Sequence, residues 1–351
     1  MVAGSLTIAG RPVGTEHPCF IIAEAGVNHN GCIDRALQLV DVAAEAGADA
    51  VKFQTFRAAK LVTADAPKAA YQQRTSGAGE TQFEMLRRLE LSEEHHRVLL
   101  ARCRERGILF MSTPFDEESA DFLDELGVAL FKIPSGEVTN IPYLEHLATK
   151  RKPLIVSTGM CSLGEVETAV TTLEAAGCRD LALLHCVSNY PADPADVNLR
   201  AMQTMAAAFG VPVGYSDHTL GIEVGIASVA AGACVLEKHY TLDRSLPGPD
   251  HAASLEPDEL AQLIRGVRTV EAALGNGRKQ AAASEANTAS VARKSLVAAC
   301  DIPAGARLTL DLIAVKRPGT GLPPAMRPHL LNRTVRESIP AGTLLQLEML
   351  G

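Results

Sequence analysis

Short apolar runs recur along the chain, each bounded by turn residues: FIIAE (20–24), AVKFQ (50–54), ILFMS (108–112), ALFKI (129–133), LIVST (154–158), LALLH (181–185), VPVGY (211–215) and CVLEK (234–238). Runs of this length and content predict β-strands. Nearly every gap between them can hold a helix, as over residues 35–46, 94–106, 117–126, 164–176 and 199–209. Gly47, Gly107, Gly127, Gly177 and Gly210 follow as left-handed helix stops. Eight β-then-α units in succession predict an α/β fold, a parallel (β/α)8 TIM barrel. An open doubly wound sheet is the alternative, and no Gly-rich phosphate loop follows the first run to support it.

Strand parity favours closure. In AVKFQ, Val51 and Phe53 share one face and Lys52 and Gln54 the other; in ALFKI, Phe131 and Ile133 oppose Lys132. Polar side chains therefore gather near the strand ends on the inward face. Ahead of the barrel, residues 5–14 read as a small hairpin able to plug its floor. After a helical stretch at 256–274 the pattern stops: residues 276–290 are small, polar and aperiodic, the signature of a linker. Residues 291–351 hold short runs broken by Pro and Gly and form a second, mostly β module after the barrel domain of residues 1–275. Within this module DIPAGARLT echoes SIPAGTLLQ, a hint of pseudo-symmetric halves.

Composition narrows the partners. The net charge is −8 and there is no Trp, with 9 Phe and 5 Tyr, which argues against nucleic acid and against stacking platforms. The eight cysteines are scattered, with no pair three apart as a zinc knuckle or redox motif needs, and read mostly as buried small apolar residues. The charge-free run from Val224 to Leu236 falls short of the ~20 residues of a membrane span. No charged segment with an apolar core opens the chain. A cytoplasmic protein without membrane partners is expected.

In a (β/α)8 barrel the chemistry lies at the carboxyl ends of the strands. The polar residues there are Glu24, Asn28 and His29; Lys52 and Gln54; Ser112 and Thr113; Lys132, Ser135 and Glu137; Ser157 and Thr158; His185, Ser188 and Tyr190; Ser216, Asp217 and His218; Glu237 and His239. His218 and His239 end neighbouring strands, and their rings can share one divalent ion, with Glu24 supplying a carboxylate from the adjoining first strand. The plainer alternative is a pair of hydrogen-bonded structural histidines. Lys52, Lys132 and the hydroxyls of Thr113, Ser135, Ser157 and Ser216 form a set suited to a small phosphate or carboxylate. Solvated lysines are the alternative there, opposed by the apolar neighbours of both.

The motifs IAEAGVNHNG, VKFQTF, STPFD, FKIPSGE, STGM, HCVSNYP, GYSDHT, EKHYTLDR and PGPDH occur in this order, and the chain resembles the sialic acid synthase family over practically its whole length. RKSLVAACDIPAG and KRPGTG resemble the antifreeze-like domain of those synthases. The resemblance implies condensation of phosphoenolpyruvate with an N-acetylated hexosamine, typically N-acetylmannosamine, to a nine-carbon keto acid and phosphate, with Mn2+ or Mg2+ as cofactor. It implies His218 and His239 as metal ligands, with Glu24 beside the ion. Phosphoenolpyruvate would be held by Lys52, Thr113, Lys132, Ser135, Ser157, Ser188 and Ser216, and the sugar by Gln54, Glu137, Tyr190 and Asp250. Some synthases carry Asn where this chain has Ser188, so Asn189 is a second candidate for that contact. The small domain would reach across a domain-swapped homodimer and bring Arg317 to the partner's sugar.

Three other readings remain at this level. One is a relative that makes a legionaminate- or pseudaminate-type acid from a diacetamido sugar, with the polar loop at 57–91 reaching that sugar. The second is a non-catalytic anion- or ice-binding protein. The third is a metal-dependent aldolase using free pyruvate. Lys238, which parity places on the outer face of its strand, is expected to pair with a helix carboxylate.

Overall fold

The computed structural model describes residues 4–69, 72–73 and 79–351, so part of the polar loop, residues 70–71 and 74–78, lies outside the described residues. The chain divides into two compact units, Met1–Gly275 and Asn276–Gly351. The first opens with an antiparallel hairpin, β1 (Leu6–Ile8) and β2 (Arg11–Val13). Eight parallel strands follow: β3 (Phe20–Gly26), β4 (Ala50–Thr55), β5 (Leu109–Pro114), β6 (Phe131–Ile133), β7 (Leu154–Ser157), β8 (Leu181–Cys186), β9 (Val213–Asp217) and β10 (Val235–His239). They pair in the order β5-β4-β3-β10-β9-β8-β7-β6. The end strands β5 and β6 lie side by side and complete the barrel. No helix among the described residues is long and apolar enough to cross a membrane.

Two apolar layers separate the barrel's ends. Outward residues such as Ile21, Val51, Phe110, Phe131 and Val156 pack under the surrounding helices. Inward residues Ile22, Ala50, Met111, Ile155 and Leu184 meet Leu6, Ile8 and Val13 of the hairpin, which seals the floor as expected. Above that seal the inward positions turn polar. β9 shows why its sequence boundaries were displaced: it runs on through Ser216 and Asp217, which pair with Glu237 and Lys238 of β10. An apolar run cannot mark the end of a strand whose last residues build a site. Helices end where the glycines predicted, with Gly47, Gly107, Gly127 and Gly210 in the left-handed conformation.

The cysteines are free; Cys19, Cys103, Cys186 and Cys234 are buried, Cys161 and Cys178 partly so, while Cys32 and Cys300 are exposed. Burial thus covers half of them rather than most.

The second unit pairs β11 (Ser295–Ala298) with β12 (Ile313–Lys316) in antiparallel fashion and encloses its own core of Leu296, Ile302, Leu308, Leu330, Val335, Ile339 and Leu345. The sequence echo is a pseudo-twofold. Ile302 and Ile339, the same position of the two motifs, exchange both backbone hydrogen bonds at 2.8 Å. Gly305 and Gly342 both sit at φ 82°. The expected linker at 276–290 needs correction. A turn at Ala283–Glu285 and a helix at Ala286–Ala292 belong to this unit. That helix buries no residue, so it has no apolar period to read, and its alanines supply the helix propensity instead.

Candidate active site

The polar end of the barrel opens into a cavity of about 470 Å³, within the usual range of small-molecule sites, roughly 300–1,000 Å³. Glu24, Lys52, Gln54, Thr113, Lys132, Ser135, Ser157, Ser188, Tyr190, Ser216, His218, His239 and Asp250 all line it, together with Glu237. Two predicted residues are elsewhere. Glu137 sits outside the lining and accepts a hydrogen bond from Asn140 Nδ2 at 2.7 Å. Arg317 belongs to the second unit, where its Nε donates to the Ala292 carbonyl at 3.1 Å.

Strand register places the charges. Glu24 lies level with Lys52 on one side and His239 on the other, and Glu237 lies level with Ser216. Lys52 Nζ is 2.8 Å from Glu24 Oε2 and 3.7 Å from Glu237 Oε2, and donates to Thr113 Oγ1 at 2.9 Å. Lys132 Nζ reaches Glu237 Oε1 at 3.3 Å, and Ser216 donates to the same oxygen at 3.0 Å. Gln54 Nε2 donates to Glu24 Oε1 at 3.4 Å. A bulge between Glu24 and Gly26, with Gly26 at φ +52°, brings this corner close: a Cβ there would lie 3.2 Å from Glu24 and 3.6 Å from Asp250. On the opposite wall Gly159 donates to Ser135 Oγ at 2.9 Å. A Cβ at Gly159 would collide with Ser188 Oγ, so only glycine permits that row of hydroxyls.

The two glutamates differ in proton affinity. Burial pushes Glu24 up to about 7, against the pull of Lys52. Glu237 is also buried, yet Lys132 and Lys52 flank it and bring it down to about 2. Burial lowers Lys132, while Glu237 and Glu24 more than offset burial at Lys52 and raise it. The four groups are thus near charge balance with one carboxyl free to titrate around neutrality, the arrangement expected of an acid–base site.

His218 and His239 stand with ring centroids 5.3 Å apart, and Tyr190 lies 4.1 Å from the His218 ring. The Val187 carbonyl engages His218 Nδ1 at 2.7 Å and fixes the ring. His239 Nδ1 is buried without a hydrogen-bond partner, 3.9 Å from Asp250 Oδ2. Burial, with His218 and Lys52 nearby, pushes His239 well down, so it stays neutral. Among the described residues no three His, Cys, Asp or Glu side chains are gathered as a metal-ligating group. The residues nonetheless fit an open two-imidazole site: a neutral histidine with an orphaned ring nitrogen faces a second imidazole and a carboxylate.

Several strand-end residues serve the frame instead. Asn28 Nδ2 donates to the Tyr240 carbonyl and to Ser254 Oγ at 2.8 and 2.9 Å, and Ser254 Oγ donates to the Asp250 carbonyl at 2.7 Å. Asn30 Nδ2 donates to the Pro247 carbonyl, and its Oδ1 is 3.2 Å from His251 Nε2. The first loop thereby latches the segment that carries Asp250. Ser112 bonds Thr55, Thr158 bonds the Leu184 carbonyl, and His185 bonds the Val197 carbonyl. Lys238 pairs with Asp217 of the next strand at 2.8 Å, not with a helix carboxylate. Sequence reasoning placed Glu237 at the mouth without a role and passed over Cys186, 3.7 Å from His218 Nδ1. Parity with Lys52 and Lys132 was the available signal for Glu237. It also passed over the apolar wall of the cavity, Leu61, Val62, Met85, Leu86, Leu89 and Phe115.

Comparison with known proteins gives two family matches: NeuB family over residues 39–279 and SAF domain over residues 293–351. The chain is 50% identical over 342 residues to the N,N'-diacetyllegionaminic acid synthase of Legionella pneumophila, covering 96% of each chain. It is 49% identical to the synthase of the same name from Campylobacter jejuni, over 86% of this chain and 91% of that one. Human N-acetylneuraminate-9-phosphate synthase is 42% identical, over 88% of this chain and 85% of its own. Among solved structures, the N-acetylneuraminic acid synthetase of Leptospira borgpetersenii in complex with citrate matches with a TM-score of 0.72 and 37% identity, over 82% of this chain and 95% of that one.

Proposed function

The chain belongs to the NeuB family and is a phosphoenolpyruvate-dependent, carbon–carbon bond-forming transferase; on that premise we propose that it condenses phosphoenolpyruvate with an open-chain diacetamido hexose to a legionaminate-type acid and inorganic phosphate. N-acetylmannosamine, the sugar first expected, becomes the second reading, because the two diacetyllegionaminate synthases are more alike to this chain than the human neuraminate-9-phosphate synthase is.

The observation that carries the chemistry is the pair of buried ammonium groups, Lys52 and Lys132, on either side of Glu237 beneath a row of hydroxyls. The phosphate and carboxylate of phosphoenolpyruvate replace the carboxylates as their partners, and Thr113, Ser135, Ser157, Ser188 and Ser216 donate to the anion. An incoming anion disturbs the charge balance of the four ionisable groups, and protonation of Glu24 restores part of it. A divalent cation, Mn2+ or Mg2+, held by His218 and His239 would supply Lewis acidity toward the sugar aldehyde. Gln54, Tyr190 and Asp250 orient the sugar so that its carbonyl carbon faces C3 of phosphoenolpyruvate. The new C–C bond forms from C3 as the aldehyde C=O π bond opens onto its oxygen, which takes the proton from Glu24, leaving positive charge at C2 and Glu24 ionised. Water adds there, Glu24 takes its proton, and the C–O bond to phosphate breaks to give the 2-keto acid. Rigid strand ends hold both substrates in register, which converts a bimolecular encounter into a local one. A second copy of the chain closes the mouth with its small domain and Arg317.

Phosphate release from phosphoenolpyruvate, measured with purified protein, Mn2+ and each sugar in turn, tests the assignment. Release that requires an amino sugar and stops on chelation is expected. Turnover of free pyruvate instead would point to the aldolase. Ligand binding without product or metal dependence would point to the binder.

A further inference from the structure

The cavity has two chemically distinct ends. Its deep end is the cluster of lysines, glutamates and hydroxyls. Among the described residues, Leu61, Val62, Met85, Leu86, Leu89 and Phe115 give its outer wall an apolar face, beside Gln72 and Gln82, where Gln82 Nε2 donates to Gln72 Oε1 at 3.4 Å. This wall belongs to a small hydrophobic cluster of its own, backed by Val27, Phe56 and Ala58, apart from the barrel core. It is also built to stay in place. Met85, Leu86 and Leu89 share one face of the helix Gln82–Leu89, and a capping box from Thr81 to Glu84 fixes where that helix starts. The Ala58 amide, at the start of the helix Ala58–Leu61, donates to Glu90 Oε1 at 2.7 Å and ties the two helices together.

From this wall we infer a subsite that selects the sugar: it receives the acetamido methyl farther from the aldehyde and so favours a hexose with two acetamido groups over one with a single group. The inference rests on the synthase reading above. With phosphoenolpyruvate on the lysines and the aldehyde beside the two histidines, the rest of the open chain extends outward past Met85 and Leu89. A hydroxyl pressed against the apolar side chains loses water and gains no partner from them, whereas a methyl is buried there at no such cost. The names of the two legionaminate relatives carry two acetyl groups, the feature this wall is suited to read.

The test compares kcat/KM for a 2,4-diacetamido hexose and for N-acetylmannosamine in the parent chain, in the near-isosteric Val62→Thr and in Leu89→Asn. The parent is expected to prefer the diacetamido sugar by about tenfold or more, the scale of discrimination that an apolar pocket supplies. Each variant is expected to lose most of that preference through the diacetamido sugar, with the N-acetylmannosamine value held within about threefold. That second value also reports that the variant is folded. Equal use of both sugars by the parent, or equal losses on both in the variants, overturns the subsite and leaves the synthase reading standing. No phosphate release with either sugar overturns both.

Discussion

His29 sits beside the site without serving it, and its surroundings decide its protonation. Its Nδ1 accepts from the Gly31 amide at 2.9 Å, its Nε2 is buried without a partner, and burial pushes its pKa from the ordinary value down to about 3. The unfolded chain therefore binds a proton near pH 6.5 that the folded chain refuses until about 3. The stabilisation is full above the unfolded pKa and is lost as pH falls toward the folded one. Glu24 and Asp250, pushed up by burial to about 7 and about 6, titrate in the opposite sense, so the test is a difference between proteins. Between pH 7 and pH 5 the parent is expected to lose about 2 kcal/mol relative to His29→Asn in urea unfolding. A constant gap between the two would show that His29 is not held neutral. The same contrast explains what was legible residue by residue. Lys52, Lys132, His218 and His239 stood out because a charge or imidazole in an apolar run is anomalous, whereas Asn28 and His29 looked the same in sequence, and the first latches the Asp250 segment while the ring of the second bonds within its own loop. Only the partners, Tyr240, Ser254 and Gly31, separate the two roles, and two of them lie far along the chain.

At the scale of the element, the strands were legible where they bury apolar residues and illegible where they do chemistry. β9 and β10 are the clearest case. Their inward ends carry Ser216 and Glu237, and their outward faces carry a buried ion pair, Lys238 to Asp217, with Lys238 Nζ also donating to the Thr219 carbonyl at 2.5 Å. Asp217 in turn accepts from the Thr219 amide and hydroxyl at 2.9 and 2.8 Å. These bonds clamp the turn that presents His218. Parity placed Lys238 outward correctly but could not name its partner, because pairing across neighbouring strands depends on register. Removing one partner leaves a buried charge alone, so Lys238→Met is expected to cost about 3–5 kcal/mol. The double variant Asp217→Asn/Lys238→Met leaves no charge and is expected to recover most of that loss. Urea midpoints of the parent and both variants decide it; a double variant as unstable as the single one would mean the pair is not the source of the loss.

For the whole molecule, the two-part organisation was legible from periodicity, while the helix at Ala286–Ala292 was hidden because nothing on it is buried. The division matters because Arg317 belongs to the second unit while every lining residue of the cavity belongs to the first. If Arg317 acts on the sugar held by another copy's barrel, two defective chains can complement each other. His239→Ala and Arg317→Ala are each expected to be inactive alone. On that swapped-dimer reading, co-expression gives mixed dimers in which one of the two sites joins an intact barrel to an intact Arg317. Random pairing under twofold symmetry then restores about a quarter of the parent's phosphate release per chain. Arg317 acting on its own barrel would place a defect in both sites of every dimer, and the mixture would stay inactive. Deleting residues 291–351 supplies the matching control: turnover is expected to vanish, and a barrel that works at full rate alone would remove the second unit from the reaction altogether.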